Sequence, residues 1–398
     1  MPSTAFASPV ADPVISDLSP SLCTMEDSLT AVRSVIATEL MPKVLDIDVK
    51  AEYPEPFLRA LGQAGGFRGA VAVEFGGNGL GIKHVIRVME AVAKQCLSSA
   101  FLVWCQTACA RYSQLSDNDA LKEAFLPRFA AGVLLVGTGL SNTFKSSDSI
   151  EEFRLCATRV EGGYVIQGVL PWVSNLGAGH FFTTGCPVRG ADGSNDGLVF
   201  LLVDCSQPGF KLIDCAHFMG LDGTRTLACQ FKDAFIPDAM VLAHPSEVCA
   251  YVERIKPGMI HAQMGMGLGL IEACAKLMQQ SNRTHAHVNQ YLDDQFDDID
   301  TALNGARALT YSLADEVDQH PATGRILDIL KLRLAGGELS VRAAHAAMLH
   351  QGAKGYLVRN PAQRRLRESY FIAIVTPATK HLRREIARIE ASLAGSVA

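Results

Sequence analysis

The sequence predicts an α+β fold in three consecutive parts, because the hydrophobic pattern changes twice along the chain. Apolar residues recur at helical spacing over residues 24–132, alternate with polar residues in short segments over 133–245, and return to helical spacing over 246–398. Of the 398 residues, 48% are hydrophobic and 19% are charged, a balance typical of a globular protein with a large core. We therefore expect an N-terminal helical domain, a middle β-barrel or β-sandwich domain and a C-terminal four-helix bundle.

Residues 1–23 precede the helical pattern and are expected to form a mobile tail. They hold two aspartates and no basic residue, unlike a secretory signal peptide. The eleven cysteines are odd in number and include no Cys-x-x-Cys pair, which favours free thiols in a reducing compartment. We therefore expect a cytoplasmic protein.

Charge and hydropathy disfavour two classes of function. The chain has 36 basic and 41 acidic residues, and its net charge of −5 gives no general attraction for nucleic acid or anionic lipid. Its longest apolar run, residues 260–278, contains His261, Gln263, Glu272 and Lys276, so it predicts a buried helix rather than a membrane span.

The N-terminal helices are delimited by capping signals. A helix is expected after Thr24, because Glu26 and Asp27 stand in its first turn, where the helix dipole favours acidic residues. A second helix begins near Pro54 and ends at the paired glycines 65 and 66. Two more helical segments follow the glycine-rich turn at residues 76–81.

The middle and C-terminal parts follow from alternation and periodicity. Segment 153–174 alternates around the glycines 162 and 163, as a β-hairpin does, and further short strands extend to about residue 242. After residue 246, four or five long helices fit an up-and-down bundle. The glycines 265, 267 and 269 lack the preceding strand of a dinucleotide fingerprint, so close helix packing explains them better.

Four motifs stand in a fixed order along the chain. They are the segment Thr138–Asp148, the segment Gly168–Asn175 around Trp172, the segment Phe231–Pro237, and Gln351–Tyr356 followed by Arg365–Glu368. In this order and spacing they resemble the motifs of the acyl-CoA dehydrogenase family, from about residue 24 to residue 392. The resemblance implies the three-domain fold predicted above, a homotetramer or homodimer, and FAD between the β domain and the bundle, with FMN left open.

The resemblance also implies which residues contact the flavin. Leu140 and Ser141 match the segment that bonds the pyrimidine edge, and Ser147 matches a phosphate-side serine. The segment beside the ring and pyrophosphate corresponds to Trp172, Val173 and Ser174. The resemblance also implies that Arg283, Gln351, Gly352 and Gly355 lie against the adenosine half of a flavin. That flavin would be bound mainly by a neighbouring subunit.

Each of these residues also has a structural interpretation. Trp172 could fill the core of the β domain, and the serines could be turn residues. Gly352 and Gly355 could end a helix, which does not exclude a role beside a flavin.

The chain departs from the family at the base that removes an α-proton. Counting from Arg367 places Thr376 where the family carries a glutamate, and the alternative glutamate position falls near Met259. A threonine hydroxyl of ordinary acidity cannot take an α-proton at neutral pH. The candidate catalytic residues are therefore Thr376, His261 and His350, with His285, His287 and Glu253 as further candidate bases. No metal site is expected, because two histidines two residues apart do not share a helical face.

Three functions remain open from the sequence. The first is a flavin-dependent oxidoreductase without dehydrogenase chemistry, oxygenating a small or carrier-bound substrate with reduced flavin from a separate reductase. The second is an acyl-thioester dehydrogenase with a relocated base and an external electron acceptor. The third is a non-catalytic flavin-binding or acyl-binding protein.

Overall fold

The computed structural model describes residues 24–190, 192–322 and 324–395. The tail predicted for residues 1–23 lies outside this described part of the chain. None of the helices in the described ranges combines the length and the hydrophobicity needed to cross a membrane.

The N-terminal region is built from helices packed around one apolar core. The helices are α1 (Met25–Val35), α2 (Val44–Val49), α3 (Glu55–Gln63), α4 (Gly81–Ala93), α5 (Leu97–Gln114) and α6 (Asp119–Ala130). The Thr24 side chain accepts a hydrogen bond from the Asp27 amide, and the Asp27 side chain accepts one from the Thr24 amide, so the predicted start of α1 is a capping box. Helix α5 is buried along nearly its whole length and forms the centre of this region.

The predicted middle β domain is present, and its strands pair into one mixed sheet. Its strands in the described residues are β1 (Val136–Thr138), β2 (Leu155–Val160), β3 (Gly163–Val173), β4 (Phe181–Arg189), β5 (Asn195–Asp204), β6 (Phe210–Asp214), β7 (Leu227–Pro237) and β8 (Val241–Ala243). The order across the sheet is β6-β7-β3-β2-β4-β5-β8, with β1 parallel to β4. The predicted hairpin is present, because Val160 of β2 pairs with Gly163 of β3 across a turn with Gly162 at φ +76°.

One helix interrupts the strands where the sequence suggested only β structure. Helix α7 (Leu140–Ser147) follows β1 directly and packs on β4. Its packing is tight, because a Cβ at Gly139 would lie 3.2 Å from Leu170 of β3 and 3.3 Å from Phe182 of β4.

The C-terminal region is helical, as the periodicity predicted. Its helices are α8 (Val248–Ala262), α9 (Met264–Asn289), α10 (Phe296–Gln319), α11 (Ile326–Gln351), α12 (Pro361–Ile374) and α13 (Thr379–Gly395). The long apolar run spans two of these helices, which meet at Gln263. The glycines of α9 serve helix packing, since a Cβ at Gly269 would lie 2.3 Å from the Glu90 carbonyl oxygen of α4.

Candidate functional site

The first two motifs lie side by side in the fold. A Cβ at Gly137 of β1 would lie 2.3 Å from the Ser174 carbonyl oxygen, and the Asn175 side chain donates a hydrogen bond to the Val136 carbonyl over 2.8 Å. The start of α7 therefore stands next to the end of β3. Two motifs that are separate in sequence therefore form one surface at this end of the sheet.

Trp172 presents its indole on this surface rather than to the core. The residue is 59% exposed, and its nearest aromatic neighbour is Phe218, whose ring centroid lies 6.5 Å away in an edge orientation. The core-filling interpretation of Trp172 is therefore wrong. Val173 and Ser174, by contrast, are buried, and the Ser174 hydroxyl lies 2.5 Å from the Thr226 hydroxyl.

The connection between α12 and α13 reaches the first motif through two hydroxyl groups. Ser141 Oγ, in the first turn of α7, lies 2.6 Å from Thr376 Oγ1, in the connection between α12 and α13. This is a normal distance for a hydrogen bond between hydroxyls, in which either group can donate. One O–H proton is used within the pair, so the other remains available to an atom bound between the sheet and the helices.

The connection that carries Thr376 is also held from the helical side. Gln263, at the junction of α8 and α9, donates its amide to the Thr376 carbonyl over 2.8 Å. Nothing in the local sequence marks Gln263 as part of this site, because its partner lies 113 residues away.

A charged cluster joins the other end of α7 to α13. His381 Nε2 lies 2.7 Å from the Asp148 carboxylate, and Lys256 Nζ lies 3.9 Å from the same group. Burial acts to raise the pKa of Asp148, but the hydrogen bond from His381 and the nearby positive charges outweigh it, so the pKa is lowered overall. The cluster therefore ties α7 to the bundle most firmly when Asp148 is ionised.

The same cluster has the geometry of a cation site. Ligand atoms of Asp148, His381 and Glu385 all lie within 4.8 Å of one another. Its carboxylates already have cationic partners, since Arg388 lies 3.0 Å from Glu385 and Lys256 approaches Asp148. We assign it the structural role of joining α7 to α13.

His261 does not reach the hydroxyl pair. It is fully buried, and its Nε2 lies 2.8 Å from the Thr310 carbonyl of α10, so Nε2 carries the proton and donates. Burial lowers the pKa of His261 to about 4. Its position two residues before Gln263 on helical backbone turns it to the opposite side of the chain, away from Thr376. The prediction of His261 as a base at this site is therefore not supported by the geometry.

His350 is separated from Thr376 by most of the length of α11. Its Nδ1 lies 3.1 Å from Asn282 Oδ1 and its Nε2 lies 2.9 Å from the Asp294 carbonyl, so both ring nitrogens have protein partners. Arg333 marks the end of α11 that lies near Thr376, because it hydrogen-bonds the last turn of α12. At 1.5 Å of rise per residue, Arg333 and His350 are roughly 25 Å apart along α11. Of the three candidate catalytic residues, the structure therefore brings only Thr376 to the α7 surface.

The residues implied to bind adenosine form a separate group at the far end of the bundle. Gln351 donates to the Leu277 carbonyl over 2.9 Å, and Arg283 is exposed on the next turns of α9. Gly352 ends α11 at φ +57°, and a Cβ there would meet no atom within 4 Å. Gly355 differs, because a Cβ there would lie 2.9 Å from Gln351 and from Met348 of its own chain. Packing within the chain therefore explains Gly355 without a ligand.

The residues on the α7 surface fit a flavin ring. The exposed indole of Trp172 is a flat apolar group without a cover. Helix α7 has no side-chain cap at its N-terminus, and the first amides of a helix have no partners within it. The pyrimidine edge of FAD or FMN requires hydrogen-bond donors, and its ring system requires a flat apolar neighbour. The first amides of α7 and the hydroxyl pair offer the donors, and Trp172 offers the flat neighbour. Ser147 is less suited to a phosphate, because its hydroxyl donates to the Thr143 carbonyl within α7 over 2.8 Å.

Comparison with known families agrees with the fold and the motifs. The model of the acyl-CoA dehydrogenase N-terminal domain matches residues 25–133, and that of the C-terminal domain matches residues 252–390. This chain belongs to the acyl-CoA dehydrogenase family. Proteins of the acyl-CoA dehydrogenase family are flavin-dependent oxidoreductases.

Individual members of the acyl-CoA dehydrogenase family resemble the chain at low identity. Probable acyl-CoA dehydrogenase FadE25 of Mycobacterium tuberculosis (strain ATCC 25618 / H37Rv) is 23% identical over 351 residues, covering 86% of this chain and 89% of the relative. A glutaryl-coenzyme A dehydrogenase in complex with glutaryl-CoA has a TM-score of 0.81 at 20% identity, covering 92% of this chain and 95% of that chain. Dibenzothiophene monooxygenase TdsC from Paenibacillus sp. A11-2 has a TM-score of 0.78 at 14% identity, covering 91% and 96%. The fold is thus similar to that of a dehydrogenase and to that of a monooxygenase.

Proposed function

We propose that this protein is a flavin-dependent oxidoreductase that oxygenates a small or carrier-bound substrate. The observation that carries the proposal is the contact of 2.6 Å between the Ser141 and Thr376 hydroxyls. We infer that Thr376 takes the family position for a carboxylate base, so that a hydroxyl paired with another hydroxyl stands there. Such a pair donates or accepts a hydrogen bond but does not remove an α-proton at neutral pH.

The side chains around this contact have distinct roles in the proposal. A bound flavin would supply the redox chemistry, which is either the transfer of electrons to oxygen or the transfer of an oxygen atom to the substrate. Trp172 supports its flat face and keeps water from it, and the first amides of α7 hold its polar edge. Ser141 and Thr376 offer the remaining O–H proton to a negatively charged or oxygen atom at the reaction centre.

The relatives support both chemistries that the family fold allows. FadE25 and the glutaryl-CoA enzyme are named as dehydrogenases, whereas TdsC is named as a monooxygenase. We favour oxygenation because it needs hydrogen-bond donors and a dry pocket rather than a strong base. Dehydrogenation of an acyl thioester is the second candidate and requires a base that the contacts of Ser141 and Thr376 do not include.

The proposal includes a homo-oligomer. Arg283, Gln351 and Gly352 lie at the end of the bundle away from Thr376, so one chain does not bring them to the same flavin ring as Trp172. We propose that they approach the adenosine half of an FAD held mainly by a neighbouring subunit, which makes FAD a better fit than FMN. Sedimentation analysis of the protein with FAD and with FMN tests this, because a monomer that binds both equally would contradict it.

Two parallel assays distinguish the candidate functions. In the first, the protein receives reduced FAD from a flavin reductase and oxygen, and oxygen consumption and flavin oxidation with formation of hydrogen peroxide are followed above the rate measured without the protein. In the second, it receives butyryl-CoA or octanoyl-CoA and an artificial electron acceptor. We expect activity in the first assay that falls at least tenfold in Thr376→Val and Ser141→Ala. Turnover confined to the second assay would overturn oxygenation, and absence of flavin binding would overturn both candidates.

A further inference from the structure

The connection between α12 and α13 depends on a buried arginine. Arg333 of α11 is 1% exposed, and its Nε donates to Gln263 Oε1 over 2.8 Å. Its Nη2 donates to the Ile372 carbonyl of α12 over 2.5 Å. The guanidinium therefore bonds both the junction that holds Thr376 and the last turn of the helix that leads to it.

The direction of these bonds is fixed by chemistry. An arginine Nε can only donate, so the oxygen of the Gln263 amide must face Arg333. The Gln263 nitrogen must then face the Thr376 carbonyl, which can only accept. Arg333, Gln263 and the Thr376 carbonyl consequently form a chain of hydrogen bonds in a single orientation. The hydroxyl of the same threonine pairs with Ser141.

Each of three consecutive carbonyls at the end of α12 accepts a hydrogen bond. The Phe371 carbonyl accepts from the Val375 amide over 2.8 Å, and the Ala373 carbonyl accepts from the Thr379 hydroxyl over 3.0 Å. The carbonyl between them, of Ile372, is the one that Arg333 satisfies. Since the last carbonyls of a helix have no partners within it, Arg333 completes the cap that sets where Thr376 begins.

The cap that Arg333 provides requires the burial of a charged group. Arg333 has no carboxylate ion-pair partner among the described residues, whereas the buried Arg365 of α12 pairs with Glu368 at 2.8 Å. Burial lowers the pKa of Arg333 to about 10, so the group is still charged at neutral pH. Burying a charge without a counter-ion costs stability, and an apolar residue would fill the same space at lower cost. Such a cost is expected where a network orders a functional group.

We propose that Arg333 and Gln263 are positioning residues that hold the Thr376 hydroxyl against Ser141. This inference rests on the proposed function for the importance of Thr376, but its geometry does not. If either residue is lost, the α12–α13 connection moves relative to α7 while the remaining helices keep their packing.

The Gln263→Glu variant separates positioning from folding. A glutamate at this position still accepts from Arg333, and now as a counter-ion, but it cannot donate to the Thr376 carbonyl. We expect the urea midpoint to be at or above that of the wild type, while amide hydrogen exchange over residues 375–379 accelerates at least tenfold. Ser340→Ala, on the same helix as Arg333 and without contact to the connection, is the matched control and should leave that exchange unchanged.

Three further measurements make the test decisive. Arg333→Met should accelerate hydrogen exchange of the same amides. If Arg333→Met does not fold, Gln263→Glu alone tests the proposal. In the reduced-FAD assay, Gln263→Glu should lower kcat at least tenfold with the dissociation constant of FAD unchanged. Wild-type exchange over residues 375–379 in Gln263→Glu, or equal acceleration in Ser340→Ala, would overturn the positioning role. Because exchange needs no substrate, an inactive wild-type protein would instead overturn the proposed function alone.

Discussion

At the scale of single residues, the proposed chemistry depends on one side chain. Thr376 occupies a connection that two helices and a neighbouring hydroxyl hold in place. A threonine there can share and donate a proton, whereas a carboxylate could remove one. Under the proposal, the fold is compatible with dehydrogenation and with oxygenation, and the residue type at position 376 selects between them.

Thr376→Glu tests this selection directly. We expect the variant to lose activity with reduced flavin and oxygen, because the hydroxyl contact with Ser141 is broken. We also expect measurable oxidation of butyryl-CoA with an artificial acceptor, because a carboxylate would then stand at the position that the resemblance assigns to the family's base. Thr376→Gln is the matched control of similar size without a base, and oxidation of butyryl-CoA by that variant would contradict the explanation.

Trp172→Ala tests the proposed flavin surface. Loss of the stacked ring should weaken FAD binding about tenfold, which corresponds to about 1.4 kcal/mol. The unfolding midpoint should change little, because the side chain is largely exposed. Phe235→Ala, at a 45% exposed position of β7, is the control and should leave FAD affinity unchanged in a fluorescence titration. Equal loss of affinity in both variants would show that the effect is not local.

At the scale of elements, glycines decide how closely helices approach. Gly265 and Gly269 of α9 face the backbone of α4, where a Cβ would lie 2.6 Å from the Ile86 carbonyl oxygen and 2.3 Å from that of Glu90. Their spacing of four residues places them on one helix face. This close approach sets α9, and with it Gln263, against the N-terminal helices.

Gly269→Ala should therefore lower the free energy of unfolding by about 1–3 kcal/mol, as expected for overpacking against backbone that cannot yield. Gly305→Ala in α10 is the matched control, because a Cβ there meets no atom within 4 Å. The control should be neutral or stabilising by up to about 1 kcal/mol, since alanine favours a helix. Urea denaturation measures both, and a neutral Gly269→Ala would contradict the packing.

At the scale of the whole molecule, buried histidines make stability depend on pH. Burial lowers the pKa of both His84 and His261 to about 4. Both groups are therefore neutral in the folded protein at pH 7, and each has a hydrogen-bonding partner, the Ser28 hydroxyl and the Thr310 carbonyl respectively. The unfolded chain takes up protons near pH 6.5, whereas the folded chain does not until about pH 4.

Stability should consequently be constant with respect to these groups above about pH 7 and should fall as the pH decreases from 6.5 towards 4. Urea midpoints at pH 7.5, 6.0 and 5.0 measure the slope. His261→Gln should reduce the slope because a neutral amide replaces one titrating group. Exposed His285→Gln is the control and should leave the slope unchanged. A wild-type stability that rises between pH 6.5 and 5 would contradict the assignment.

Periodicity and turn residues were sufficient to predict the three consecutive parts of the chain, the hairpin at Gly162 and the buried helical run, but not helix α7. These features depend on which face of a local segment is apolar, and that information is present in neighbouring residues. The motifs located Ser141, Trp172 and Thr376 for a similar reason, because short spacings carry the resemblance.

Contacts between residues that are far apart in sequence could not be predicted in this way. Ser141 and Thr376 are 235 residues apart, and Gln263 and Arg333 contribute through contacts that no local pattern announces. Position along the chain made His261 and His350 equal candidates to Thr376, but His261 is buried against the Thr310 carbonyl and both ring nitrogens of His350 have protein partners. Such pairings arise only when elements distant in sequence pack together, because a hydrogen bond depends on distances that the packing alone sets.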